Sequence, residues 1–194
     1  MNNKILEELI SHVSPDAKKK AEILIRKFGS AIGVFEAETD SLAEALLGDY
    51  QSAVYIKLCS ALVSRRACDS FKFGRRHSED GICEYLKYLF LGLSDETVYL
   101  LSLDTEGRVL SCDKVGDGTV NVSNVLPRKV IDAARKRGAR RVIIAHNHPG
   151  GYAKASDDDV AATALLGGLL ISSGIELSAH YVVAGNDCAK VPSL

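Results

Sequence analysis

A short apolar run, Arg141-Val142-Ile143-Ile144-Ala145, stops at His146-Asn147-His148-Pro149-Gly150-Gly151. Its β-branched residues, its length and the Pro-Gly-Gly that closes it read as a buried strand ending at the histidines. Alternate side chains of a strand share a face, so His146 and His148 project together if the strand holds that far. Asp159 follows a glycine-containing loop, at the start of the next helix. Two imidazoles and a carboxylate make a three-ligand set for zinc, and catalytic zinc sites commonly leave a fourth position to water. The same residues also admit a reading without metal. Ser156 and Asp159 fit an S-x-x-D capping box, and two histidines at a strand end can serve as hydrogen-bonded loop residues.

The spacing H-x-H-P-x6-S-x2-D runs from His146 to Asp159 without a gap. It resembles the signature of JAMM (MPN+) zinc metalloproteases. The longer string from Leu126-Pro127-Arg128 through Ile143-Ile144-Ala145-His146-Asn147-His148-Pro149 is similar to the bacterial RadC family in particular. The resemblance implies zinc held by His146, His148 and Asp159. It also implies a mixed sheet flanked by helices, the α/β/α arrangement of JAMM and cytidine-deaminase-like proteins. Strands alternating with amphipathic helices point to α/β independently.

A zinc hydrolase needs a carboxylate that is not a ligand, placed to take a proton from water. RadC-like sequences carry it in a pattern resembling E-x-[aromatic]-x-V-x-x-L-D, which falls here on Glu96-Thr97-Val98-Tyr99-Leu100-Leu101-Ser102-Leu103-Asp104. Val98 stands at the aromatic position, and Asp95 is the neighbouring competitor. The resemblance makes Glu96 the general base and Ser156 the donor to the oxyanion of a tetrahedral intermediate. Three departures stand out. Lys129 replaces the acid of a P-R-E pattern. Ala179-His180 has lost the aspartate of a D-H pair, and His180 reads as structural. Tyr152 to Ala155 replace prolines between the glycines and the serine.

Residues 4–66 read as helices, so a small all-α domain over 1–70 precedes the metalloprotease-like domain over 78–194. Ile5, Leu6, Leu9 and Ile10 have helical spacing, Pro15 can open a helix after Ser14, Ser41 can cap the next, and Val54, Leu58, Leu62 and Val63 give a further period. Ala21 to Ala37 resembles the helical domain of RadC proteins, whose next segment usually carries a G-x-G helix-hairpin-helix turn. Here that stretch is Leu47-Gly48-Asp49-Tyr50-Gln51-Ser52, with one glycine and an acid where phosphate would sit. Phosphate binding needs a positive surface, so DNA binding by this unit is discounted in favour of a packing or partner-binding role. The basic segment Arg65 to His77 reads as a solvated linker, and Arg128 to Arg141 as a solvated helix face.

Farther on, Glu79 to Leu89 reads as a helix capped by Ser78. Val98 to Asp104 and Arg108 to Cys112 form a hairpin. Gly116 to Thr119 makes a turn, Val120 to Val125 is strand-like, Pro127 to Arg137 is helical, and Ile175 to Val183 is the last strand.

The chain has 194 residues and a net charge of -1, enough for one substantial core plus a small second unit. No apolar run is long enough to span a bilayer, and the amino terminus lacks a signal-peptide pattern, so a cytoplasmic location is expected. The five cysteines are scattered, odd in number and without a C-x-x-C pair, which reads as isolated reduced thiols rather than a disulfide framework.

The function expected is zinc-dependent hydrolysis of a peptide or isopeptide bond in a protein substrate. The alternative is a non-enzymatic DNA-associated or interaction module with a structural zinc, motivated by the helical domain and the basic segments. Glu96 and Ser156 argue against it, because a structural site needs neither. The family's DNA-repair association finds no support in these residues. An HNH nuclease is a third idea, weakened because its residues are spread over a ββα unit.

Overall fold

The structure, a computed structural model, describes residues 2–117 and 125–192. The chain divides into two compact units, Met1–Cys68 with Tyr88–Ser94, and Asp69–Lys87 with Asp95–Leu194.

The first unit is built from helices α1 (Asn2–Ser11), α2 (Ala17–Phe28), α3 (Ala31–Glu36), α4 (Thr39–Ala45) and most of α5 (Tyr50–Ser70). Each contributes an apolar stripe to one core, including Leu6 and Ile10, Ala21 and Leu24, Val34, Leu42, and Ile56. Burying each large side chain contributes about 1.5–3 kcal/mol. Two expected helix starts move. α2 begins at Ala17, two residues after Pro15, and α4 begins at Thr39, so Ser41 lies inside it rather than capping it. The expected period of α5 is helical, but its inner face is Ser52, Ala53, Ile56 and Ser60. Val54, Leu58, Leu62 and Val63 are half exposed or more.

Asp49 is consumed locally. Its carboxylate accepts the Ser52 backbone N–H at 3.0 Å and the Ser52 hydroxyl, capping α5, and it pairs with Lys20.

The second unit holds a five-stranded sheet in the order β2-β1-β3-β4-β5, with β1 Thr97–Leu103, β2 Val109–Asp117, β3 Arg141–Asn147, β4 Glu176–Ala184 and β5 Asp187–Lys190. β3 and β4 are parallel and every other pair is antiparallel, so the sheet is mixed. The helices are α6 (Glu79–Phe90, its last residues counted with the first unit), α7 (Val125–Lys136) and α8 (Asp157–Ser172). Val130 and Ala134 of α7 and Leu166 and Leu170 of α8 share a core with Val98, Leu100, Val142 and Ile144 of the sheet. The expected α/β class, a mixed sheet flanked by helices, is what the chain adopts.

Ser78 caps α6 as expected, accepting the Gly81 N–H at 3.1 Å. The hairpin forms, but β2 continues to Asp117, so Gly116 and Asp117 are strand rather than turn. The rest of that turn and the strand-like stretch after it, residues 118–124, lie outside the described residues, and Val125 already opens α7. β5 was not anticipated. It is four residues long and follows a turn at Gly185, whose φ of 57° suits glycine. The segment read as a solvated linker is tied down in part. Gly74 and Arg75 exchange backbone hydrogen bonds with Val109, and the Phe71 ring stacks on His77 and Tyr85.

The cysteine reading is corrected. Cys83 of α6 and Cys188 of β5 form a disulfide, with Cα atoms 5.8 Å apart. They are 105 residues apart in sequence, so no local spacing announced the pair; the packing of α6 near the β4–β5 edge creates it. Cys59, Cys68 and Cys112 are not part of this disulfide.

Candidate metal centre

The sheet register builds the site. Val98 pairs with His146 in the antiparallel β1–β3 ladder. Extending that register by two residues sets Glu96 opposite His148. β3 ends at Asn147, and its pairing with β4 runs one step farther, through the His148 N–H to the Val183 carbonyl at 2.8 Å. The strand therefore holds far enough for both rings to converge, and their Nε2 atoms lie 3.0 Å apart. Asp159 enters from the first turn of α8, with Oδ1 3.1 Å from His146 Nε2 and Oδ2 3.7 Å from His148 Nε2.

The capping reading of Ser156 and Asp159 is borne out. Ser156 caps α8 in a complete capping box. Its N–H and hydroxyl both donate to Asp159 Oδ2 at 2.7 Å, and its Oγ accepts the Asp159 N–H at 3.1 Å. The cap occupies Oδ2 and leaves Oδ1 directed at His146.

The donor set fits zinc. Tetrahedral bonds of 2.0–2.1 Å place ligand atoms about 3.3 Å apart, close to the observed 3.0 and 3.1 Å. Each imidazole has its other nitrogen engaged. His148 Nδ1 lies 3.3 Å from the Tyr152 carbonyl, and His146 Nδ1 lies 2.8 Å from His180 Nε2. Such outer partners orient metal-binding histidines. Burial holds the His146 imidazole down at about 4, so it is neutral, and able to bind metal, at neutral pH. Glu96 belongs to the same cluster, as one oxygen of its carboxylate lies with one nitrogen of each histidine inside a 4.8 Å span. Burial raises its carboxyl above the ordinary range, with His148 opposing and Asp159 adding to the shift. Asp95, the competitor, is exposed.

Two residues escaped the sequence reading of the site. Asn147 is only 4 % exposed. Its Oδ1 accepts the Thr97 N–H at 2.7 Å and its amide donates to the Asp95 carbonyl at 3.1 Å, gripping both neighbours of Glu96. Its place between the histidines was the available signal. His180, which reads as structural from the sequence, sits on β4 opposite Ile144 and lies against His146. Beside the cluster lies an open cleft of about 500 Å³, lined by His148, Tyr152, Lys154, Ala155, Ser156 and Asp157.

The profile of the RadC-like JAB domain matches residues 76–191, the stretch that carries the sheet and every residue of the centre. The chain belongs to the RadC-like JAB domain family. Its relatives include a UPF0758 protein of Herminiimonas arsenicoxydans, 32% identical over 165 residues, 84% of this chain and 73% of that protein. A UPF0758 protein of Cupriavidus pinatubonensis is 32% identical over 174 residues, 87% of this chain and 75% of the relative. Another, from Finegoldia magna, is 34% identical over 132 residues, 68% of this chain and 58% of the relative. The JAB assignment agrees with the mixed sheet and with a His/Glu group able to hold a metal ion. Among the described residues no helix is long and apolar enough to cross a membrane.

Proposed function

We propose that this RadC-like protein is a zinc-dependent metallohydrolase of JAMM type, cleaving a peptide or isopeptide bond in a protein substrate. The observation that carries the reading is the convergence of His146 Nε2, His148 Nε2 and Asp159 Oδ1, with the Glu96 carboxylate alongside. These three residues would hold zinc, which supplies a Lewis acid and lowers the pKa of water toward roughly 7. Glu96, with its proton affinity raised by burial, takes the proton of the attacking water and hands it to the leaving amine. Asn147 fixes the backbone on either side of Glu96. Ser156 is the donor proposed for the oxyanion. Its hydroxyl proton rests on Asp159 Oδ2, so it turns to reach a substrate oxygen while its N–H keeps hold of Asp159. The open cleft beside His148 leaves room for an extended substrate segment.

The test is zinc content of the purified protein beside His148→Ala and Glu96→Gln. About one zinc per chain is expected in the native protein, lost in His148→Ala and kept in Glu96→Gln. A peptidase screen then uses Glu96→Gln as the inactive control. Native protein that is folded, supplied with zinc and metal-free rejects the reading.

The second reading, a non-enzymatic DNA-associated or interaction module with structural zinc, draws on the engagement of the Ser156 hydroxyl in the cap. Nucleic acid has weaker support as a partner, because the α5 turn presents Asp49, already paired with Lys20. Salt-dependent DNA binding that is unchanged in Glu96→Gln would favour this alternative.

A further inference from the structure

A chain of hydrogen bonds leaves the candidate metal centre from His146 and runs through residues that do not line the cleft. His146 Nδ1 lies 2.8 Å from His180 Nε2, and His180 Nδ1 lies 2.7 Å from the Thr163 hydroxyl. That hydroxyl donates to the Asp159 carbonyl at 2.5 Å. The last bond fixes the direction of the others. A carbonyl only accepts, so the Thr163 proton is committed to it and Thr163 Oγ1 must accept from His180 Nδ1–H. A neutral His180 then presents Nε2 as an acceptor, and His146 must donate from Nδ1. The single tautomer of His146 that satisfies the chain carries its proton on Nδ1 and leaves the Nε2 lone pair facing His148 and Asp159.

The surroundings enforce this order. His146 is 3 % exposed and His180 8 % exposed, and an unpaired buried nitrogen is costly. A small pocket of about 50 Å³ at this point is lined by Glu96, His146, Asp159, Thr163, Leu166 and His180. The chain starts at one candidate ligand, His146, and ends on the backbone of another, Asp159, so it couples β3, β4 and the first turns of α8.

Resting on the metallohydrolase reading, we infer that His180 and Thr163 are positioning residues for the metal: they lock His146 in the Nδ1–H tautomer and hold its ring so that Nε2 is presented for coordination. Both act through His146, to which the hydrogen-bond chain connects them.

The experiment measures zinc affinity of the full chain, by competition against a chromophoric chelator, for native protein, His180→Leu, His180→Gln, Thr163→Val and His148→Ala. Thermal unfolding of each metal-free variant checks folding. His180→Leu fills the space without an acceptor and is expected to bind zinc about 10–100-fold more weakly. His180→Gln restores an acceptor oxygen near the place of Nε2 and is expected to recover most of that loss, which a purely packing role does not predict. Thr163→Val exchanges only a hydroxyl for a methyl group and is expected to show a smaller loss in the same direction; it decides the matter if the His180 variants do not fold. Zinc affinity at the native level in folded His180→Leu and Thr163→Val, while His148→Ala loses the metal, overturns the inference and leaves the metal site standing. Native protein that binds no zinc overturns both.

Discussion

Asn147 holds Thr97: its Oδ1 accepts the Thr97 backbone N–H at 2.7 Å, across a sequence separation of 50. The same amide reaches the Asp95 carbonyl. The last residue of β3, between the two candidate ligands, thus fixes the backbone bearing the candidate base ahead of β1. Asn147→Ala leaves the buried Thr97 N–H without this partner and is expected to cost about 1–3 kcal/mol of stability. It should retain zinc but lose hydrolysis, because Glu96 is no longer held. Urea unfolding and zinc content measure the two effects. A stability equal to native would show that the clamp carries no energy.

Glu96 is an acid with a raised folded-state pKa, caused first by burial. Folding therefore takes up a proton there. That contribution is present at acidic pH and declines as pH rises from the ordinary carboxyl value through the raised one. Metal-free Glu96→Gln is expected to be more stable than native at pH 7, with the difference vanishing toward pH 4. Parallel melting curves at the two pH values test this, and equal melting temperatures at pH 7 would contradict it.

Asp49 behaves oppositely. Hydrogen bonds from Lys20 and then Ser52 lower its carboxyl from 3.8 to about 2. A depressed pKa stabilises the fold above the unfolded value, and the gain is lost as pH falls through about 4 to 2. Discounted for partial exposure, it amounts to roughly 1–2 kcal/mol. Asp49→Asn should remove this acid sensitivity from the helical unit, read as its far-ultraviolet circular dichroism between pH 5 and 2.

The Cys83–Cys188 pair closes a loop of more than a hundred residues, with a sequence separation of 105. Non-reducing peptide mapping of air-oxidised protein should recover the two cysteines in one cross-linked species. Reduction should lower stability by about 2–4 kcal/mol, and Cys83→Ser should abolish the response to reductant. Disulfides are rare in reducing compartments and persist in oxidising ones, so the thiol state of this pair in cell extracts reports the redox condition that the chain meets.

Much of the centre is legible because its chemistry is local. His146 and His148 are two residues apart across the end of one strand, and Ser156 and Asp159 are one helical turn apart, so strand alternation and capping geometry place them without knowledge of the rest of the chain. Glu96 was found through the resemblance, and the β1–β3 register supplies the physical reason for its place. The α/β class likewise followed from short apolar runs alternating with amphipathic stretches.

Tertiary structure decided what depends on partners far away in sequence. Asn147 grips residues 50 and 52 positions away, His180 meets His146 across 34, and Cys83 meets Cys188 across 105. α5 likewise carries apolar residues on both sides, and the side buried in the helical core is the one built on Ala53 and Ile56, while Val54, Leu58, Leu62 and Val63 are exposed. Local sequence sets which backbone conformations and caps are cheap. Which distant side chain arrives at a given nitrogen, sulfur or amide is set by strand register and helix packing, which the whole chain determines together.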